Sequence, residues 1–206
     1  KDKVPVYISA TGPNSRALVA KLGTGWICPL GRAAMVQEAV ADMKKKWTGA
    51  GRDLKDLHMH GEIGGCVLRE GEAYDAARVK DEAGPSAIMV VHDLVEEAMQ
   101  DRAPMNLPPV LQSALDRYRK IYEKMEPADA RYLFNHRGHF VFVKPEERQF
   151  ISAELIRRTT FTATEQALTA LVEALRSAGR SLSEIPIVPG QEAAPDDWAR
   201  VKAAFG

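Results

Sequence analysis

The chain has 206 residues, 45% of them hydrophobic and 27% charged, enough to bury a substantial core without the composition of a disordered or fibrous protein. Lys plus Arg and Asp plus Glu stand at 28 each, so no basic surplus exists to neutralise a nucleic-acid backbone, and nucleic acid is not expected as a partner. The longest apolar runs, such as Ser86 to His92, fall far short of the ~20 residues of a membrane helix, which excludes a membrane span as an expectation. The two cysteines, Cys28 and Cys66, have no second thiol beside them and no Cys/His pair at zinc-finger spacing. They read as packing residues in a reduced, cytoplasmic protein.

In chain order, Val4 to Ala10 is a β-branched and aromatic run that reads as a strand. The cluster Thr11-Gly12-Pro13-Asn14-Ser15 is a turn, and Arg16 to Leu22 places Leu18, Val19 and Leu22 on one helical face. Gly23 and Gly25 bracket the helix end, Trp26-Ile27-Cys28 is a short buried-type strand, and Ala33 to Trp47 repeats Val36, Val40, Met43 and Trp47 at helical spacing. His58 to Leu68 reads as a third extended segment, whose three glycines suggest close backbone approach. A helical stretch follows, with helices over Asp75 to Glu82, Pro85 to Gln100 and Val110 to Met125, and it reads as an insertion between strands. His136 to Val143 is a short apolar segment of ambiguous type. Helices over Ala153 to Arg158 and Glu165 to Ala178, an extended piece over Glu184 to Gly190 and a tail helix from Asp196 to Phe205 complete the chain.

Strands alternating with helices of this length predict an α/β fold with a parallel sheet, taken as one domain over residues 1–206. Four barrel-type strands leave edges and an apolar face open, so a missing N-terminal half or an unusual open sheet is expected. The opening strand, with no initiating Met before it, reads as the start of a fragment.

The segment Ala10 to Ser15 carries the most chemistry. A strand that feeds through a glycine turn into a helix aims free backbone N–H groups and a positive dipole end at one point, which suits an anion. Gly12 would let backbone approach a phosphate, Pro13 would stiffen the turn, and Asn14 or Ser15 would cap the helix. An ordinary turn with an ordinary cap satisfies the same spacing. His58 with His60, and His136 with His139, carry no accompanying carboxylate cluster at ligand spacing, so no metal site is expected. His60 or His139 as a proton donor, Glu62 and Glu192 as ligand contacts, and Trp26, Phe140 and Phe142 as flat walls for a ring are open alternatives to packed or solvated side chains. No catalytic residue is named.

The stretch VPVYISATGPNSRALVAKLGTGWICPLGR resembles the fifth and sixth strand units of luciferase-like monooxygenases and deazaflavin-dependent reductases. GCVLREGEAYDAARVKDEAGPSAIMVVHDLVEE is similar to the seventh-strand region of that superfamily, and HRGHFVFVKPEERQFISAELIRRTTFTATEQALTALVEALRSAG to its run-in to the eighth strand. The resemblance implies the C-terminal half, about strands 5 to 8, of a (β/α)8 TIM barrel with a helical insertion before the last strand. It implies a flavin- or deazaflavin-dependent oxidoreductase that binds FMN or an 8-hydroxy-5-deazaflavin coenzyme. The phosphate would lie on Ala10, Thr11, Gly12, Pro13, Asn14 and Ser15, with Arg32 after the sixth strand turned toward it. Thr24 stands where the family usually has Asp, and Ala163 where Gly is common. The implied partners are the N-terminal half of the barrel, as the same gene product or a separate chain, a small-molecule substrate, and a second copy in a homodimer fed by Leu94, Val95, Leu111, Leu115 and Ile121. The alternatives are a non-catalytic flavin-binding or assembly subunit of the same fold, and an unrelated phosphate-binding barrel enzyme such as an aldolase or isomerase.

Overall fold

The computed structural model describes residues 4–29, 33–62, 64–102, 106–177, 181–184 and 193–203. The chain divides into two compact units, one formed by Lys1–Ile63 and Thr169–Ile185, the other by Gly64–Leu168 and Pro186–Ala204.

In the first unit, β1 (Tyr7–Ser9), α1 (Pro13–Leu22), β2 (Gly25–Pro29), α2 (Ala33–Gly49) and β3 (Met59–Glu62) alternate as the hydrophobic periodicity requires. A last strand, β6 (Ser181–Glu184), joins them in an open sheet of order β1-β2-β3-β6. Every pairing is parallel, with Tyr7 opposite Gly25, Trp26 opposite Met59 and His60 opposite Ser181. Trp26, Met43 and Trp47 are completely or almost completely buried, and each such side chain contributes about 2 kcal/mol or more of transfer free energy. The Trp47 indole N–H donates to the Asp53 carbonyl at 2.7 Å, so α2 is tied to the turn that returns the chain to β3.

The segment His58 to Leu68 is not one strand. It gives β3 to the first unit and a separate two-residue strand, β4 (Val67–Leu68), to the second. Gly65 explains the break, because a Cβ there would lie 2.6 Å from the Phe161 carbonyl carbon and 2.9 Å from the Thr162 nitrogen. The close backbone approach expected of this glycine-rich stretch is therefore realised at Gly65.

In the second unit β4 pairs in parallel with β5 (Ala163–Thr164), which periodicity did not reveal. Around this pair lie α3 (Ala77–Ala98), α4 (Pro109–Tyr122), α5 (Arg131–Asn135), α6 (Ala153–Thr159), the first turn of α7 (Glu165–Ser177) and α8 (Ala194–Ala203). The two helices expected on either side of Gly84-Pro85 are one 22-residue helix with Pro85 inside it. Proline removes one i→i−4 hydrogen bond, but Val79, Ala83, Ala87, Val91, Leu94 and Val95 all bury one face of α3 in the core, and that burial holds the helix together. Residues 136–141 form turns rather than a strand, with Gly138 and Phe140 at positive φ.

Leu94, Val95, Leu111 and Leu115 are buried in this core, with Ile121 packed against it. The first four are therefore part of the core of this chain. Large apolar residues exposed among the described residues of the unit are Met99, Tyr132, Leu133, Phe134, Val141 and Phe142. No helix among the described residues is long and apolar enough to cross a membrane.

Candidate functional site

The loop from Ala10 to Ser15 leaves the C-terminal end of β1, where parallel α/β sheets place their ligand-binding loops. It is anchored at its start from both sides. Ala10 N–H donates to the Ile27 carbonyl at 3.3 Å, and the Trp26 indole N–H donates to the Ala10 carbonyl at 2.9 Å. Trp26 is fully buried and holds this carbonyl, so it is not a wall for a bound ring.

The helix begins earlier than the apolar pattern indicates. Gly12, with φ −97° and ψ 165°, is the N-cap, Pro13 occupies the first helical position, and Asn14 and Ser15 lie inside the first turn. Neither Asn14 nor Ser15 caps the helix. The Ser15 hydroxyl reaches back instead, accepting from Gly12 N–H at 3.2 Å and donating to the Gly12 carbonyl at 2.9 Å. The helical ladder starts with Arg16 N–H on the Gly12 carbonyl at 3.1 Å. Pro13 has no N–H, so the amides of Asn14 and Ser15 are the two donors of the first turn that the ladder does not use.

Gly12 has an ordinary φ, and a Cβ built on it meets nothing closer than the Ser15 Oγ at 3.9 Å. Neither its backbone conformation nor packing among the described residues requires glycine at this position.

Arg16, which the sequence reading gave no role, is buried and folds back under the loop. Its guanidinium donates to the Thr11 carbonyl at 2.6 Å and to Asp42 Oδ2 at 2.7 Å, while Lys46 Nζ donates to Asp42 Oδ1 at 2.6 Å. Hydrogen bonds from Lys46 and Arg16 hold the Asp42 carboxyl below the usual carboxylate range. Two cations share one carboxylate, so a net positive charge stands beside the loop. Arg32 lies outside the described residues, as does Glu192, and of Glu62 only the backbone is described.

The histidines separate. His60 sits edge-on against the Tyr7 ring at 4.2 Å, and burial, reinforced by His58, lowers its pKa, whereas His58 is exposed and precedes the strand. His136 and His139 lie in the second unit, their Nδ1 atoms 3.3 Å apart, with His136 Nε2 3.1 Å from Glu96. Phe142 is exposed there, and Phe140 packs edge-on against His139. Thr24 has a buried hydroxyl with no hydrogen-bond partner among the described residues, and Ala163 pairs with Val67 in β5.

The second unit holds a charge cluster that the sequence reading missed. Glu147 is fully buried and accepts from His92 Nε2 at 2.6 Å, the Tyr118 hydroxyl at 2.6 Å, Lys144 N–H at 3.0 Å and Lys144 Nζ at 2.8 Å. Burial opposes the charge on Glu147, but the donors His92, Lys144 and Tyr118 outweigh it and hold the carboxyl at about 2. Burial also keeps His92 neutral against the pull of Glu147, and it pushes the Tyr118 hydroxyl far up. Lys144 anchors the chain after α5 by donating to the Phe134 and Asn135 carbonyls at 2.9 and 3.0 Å. The only hint in the sequence is Lys144-Pro-Glu-Glu147, a charged pair three residues apart around a proline-initiated turn.

A second polar group gathers where β4 and β5 end on the same edge. Arg78 binds Glu72 and the Val67 carbonyl and donates to Glu82 at 2.8 Å, and Arg200 donates to Asp197 and Glu165 at 2.5 and 3.0 Å. Beside it opens a cavity of about 500 Å³ lined by Arg69, Thr164, Glu165, Asp197 and Arg200. Arg200 is paired with Asp197 and Glu165, while the buried Asp197 Oδ2 has no hydrogen-bond partner among the described residues.

Fold and loop together define a class: a parallel α/β protein with a strand–glycine–helix turn at the C-terminal end of its first strand. No family model and no curated protein matches the chain. Solved structures do. A coenzyme F420-dependent tetrahydromethanopterin reductase from Methanopyrus kandleri is similar with a TM-score of 0.50 at 16% identity, over 97% of this chain and 48% of that one. An F420-dependent secondary alcohol dehydrogenase, solved with an F420–acetone adduct, is similar with a TM-score of 0.52 at 11% identity, over 100% of this chain and 50% of that one. At these identities the likeness is one of fold, and it supports the fold that the resemblance implied. The chain spans about half the length of the solved structures it matches.

Proposed function

We propose that this chain supplies the C-terminal half of a (β/α)8-barrel oxidoreductase that uses a deazaflavin coenzyme, with residues 10–15 receiving the coenzyme phosphate. The observation that carries this reading is Gly12, a glycine with no conformational or packing need for one, set against two free helix-start amides and a net positive charge. Both structural neighbours bear names that specify coenzyme F420, which favours the deazaflavin over FMN and hydride transfer over monooxygenation.

When bound, the coenzyme ring supplies the hydride chemistry. The residues of this chain would orient it: the Asn14 and Ser15 amides would meet the phosphate, Gly12 would leave the approach clear, and Trp26 and Arg16 hold the Ala10 and Thr11 carbonyls at the start of the loop. Arg32 is proposed as a further phosphate contact. The substrate is a small molecule, and the N-terminal half of the barrel brings the groups that handle protons. The complete protein is proposed to be a cytoplasmic homodimer, which light scattering at micromolar concentration tests.

A spectroscopic titration of the full-length protein with FMN and with the 8-hydroxy-5-deazaflavin coenzyme tests the reading. The deazaflavin is expected to bind, and Gly12→Val to weaken it at least tenfold while the circular dichroism spectrum stays unchanged. Failure of both cofactors to bind would refute it. Binding without any redox turnover would favour a non-catalytic subunit.

A further inference from the structure

Arg16 stands at the fourth position of α1, and its side chain returns to the loop that precedes the helix. The guanidinium, on a residue only 8% exposed, donates 2.6 Å to the Thr11 carbonyl and 2.7 Å to Asp42 of α2. The Thr11 carbonyl and the Gly12 N–H belong to one rigid peptide plane. The Gly12 N–H is held at the other edge of that plane by the Ser15 hydroxyl at 3.2 Å. The plane is thus gripped from both sides, and its orientation sets how the chain enters α1 and where the free amides of Asn14 and Ser15 point. Asp42 takes a second cation, Lys46, at 2.6 Å, so the brace is neutralised only in part.

Resting on the proposed phosphate reading, we infer that Arg16 is the positioning residue of the phosphate loop: it fixes the Thr11–Gly12 peptide plane and adds a buried positive charge behind it, without touching the phosphate itself. An arginine serving only to pin α1 to α2 would need the Asp42 contact alone. The second bond, to a loop carbonyl, ties the brace to the ligand-facing turn. A guanidinium suits this job because its fork meets two acceptors at a fixed angle, while an ammonium serves them less rigidly.

The test compares two ligands on the full-length protein: the 8-hydroxy-5-deazaflavin coenzyme, and its riboside lacking the phosphate tail. The ratio of their dissociation constants measures what the phosphate contributes, and a change that merely loosened the fold would weaken both ligands together. In the wild type the coenzyme is expected to bind at least tenfold more tightly than the riboside. Arg16→Met is expected to shrink that ratio by tenfold or more and leave riboside binding within threefold. Arg16→Lys should shrink it by a smaller factor. A wild-type ratio near one would overturn the phosphate reading and this inference with it. A large wild-type ratio that persists in Arg16→Met would overturn the inference alone. If Arg16→Met does not fold, Arg16→Lys decides, and an undiminished ratio there overturns the inference.

Discussion

Replacing Glu147 by Gln removes the one anion in a buried network that also holds Lys144, and the expected cost follows from the geometry. The carboxylate is fully buried, with four donor contacts between 2.6 and 3.0 Å. The variant leaves the Lys144 ammonium without its counter-charge in a low-dielectric setting, a change that typically costs about 3–5 kcal/mol. The pH dependence gives an independent estimate. Glu147 is held at about 2 against an ordinary 4.5, so its ionisation contributes about 3 kcal/mol to folding at neutral pH. Because the folded value is depressed, the unfolded chain takes up the proton first. The stability is therefore fully present above pH 4.5 and fades as the pH falls toward 2, with about 1 kcal/mol lost by pH 3.5. His92, kept neutral by burial, acts in the same direction from 6.5 downward, since its unfolded form protonates more readily. Urea unfolding at pH 7.0 and 3.5, followed by mass-resolved proteolysis within α3 and α4, reads this unit directly. The gap between wild type and Glu147→Gln should narrow by about 1 kcal/mol at the lower pH. A gap below about 1 kcal/mol at neutral pH, or one that does not narrow, would refute the assignment of Glu147 as the charged hub.

Gly65→Ala places a methyl group against the backbone of Phe161 and Thr162, and is expected to destabilise the second unit by about 3 kcal/mol; an unchanged urea midpoint would show that the β4–β5 approach is looser than described. Trp26→Phe removes the indole donor to the Ala10 carbonyl and some buried volume, and should lower stability by about 2 kcal/mol while weakening coenzyme binding. Stability lost without any change in binding would detach Trp26 from the loop. Neither Cys28 nor Cys66 is in a disulfide and both are buried, and burial, with Glu82 nearby, pushes the Cys66 thiol up to about 12. Neither should react with a thiol reagent at pH 8 until urea is added, and rapid labelling of the native protein would contradict their role as packing residues.

What the sequence discloses here depends on how local the determining contact is. Alternation of short β-branched runs with amphipathic helices revealed the parallel units from β1 through α2, because periods of two and 3.6 residues are properties of a short window. The same rule misplaced Asp75 to Gln100, since Gly84-Pro85 signals a break locally and only the packing of Val79 through Val95 overrides it. β4 and β5 are two residues each, too short for any period, and they exist because Gly65 lets strands about a hundred positions apart touch. The candidate loop divides in the same manner. Gly12 and Pro13 announce a turn between strand and helix, whereas the return of Arg16 to Thr11 and the sharing of Asp42 with Lys46 depend on α2 packing beside α1. The same dependence on distant contacts hides Glu147, whose donors come from positions 92, 118 and 144. Gly12 is the instructive exception: its identity is plain in the sequence, and only the structure shows that no neighbour among the described residues demands it. On the proposed reading, a glycine that its own fold does not demand serves what approaches the loop from outside.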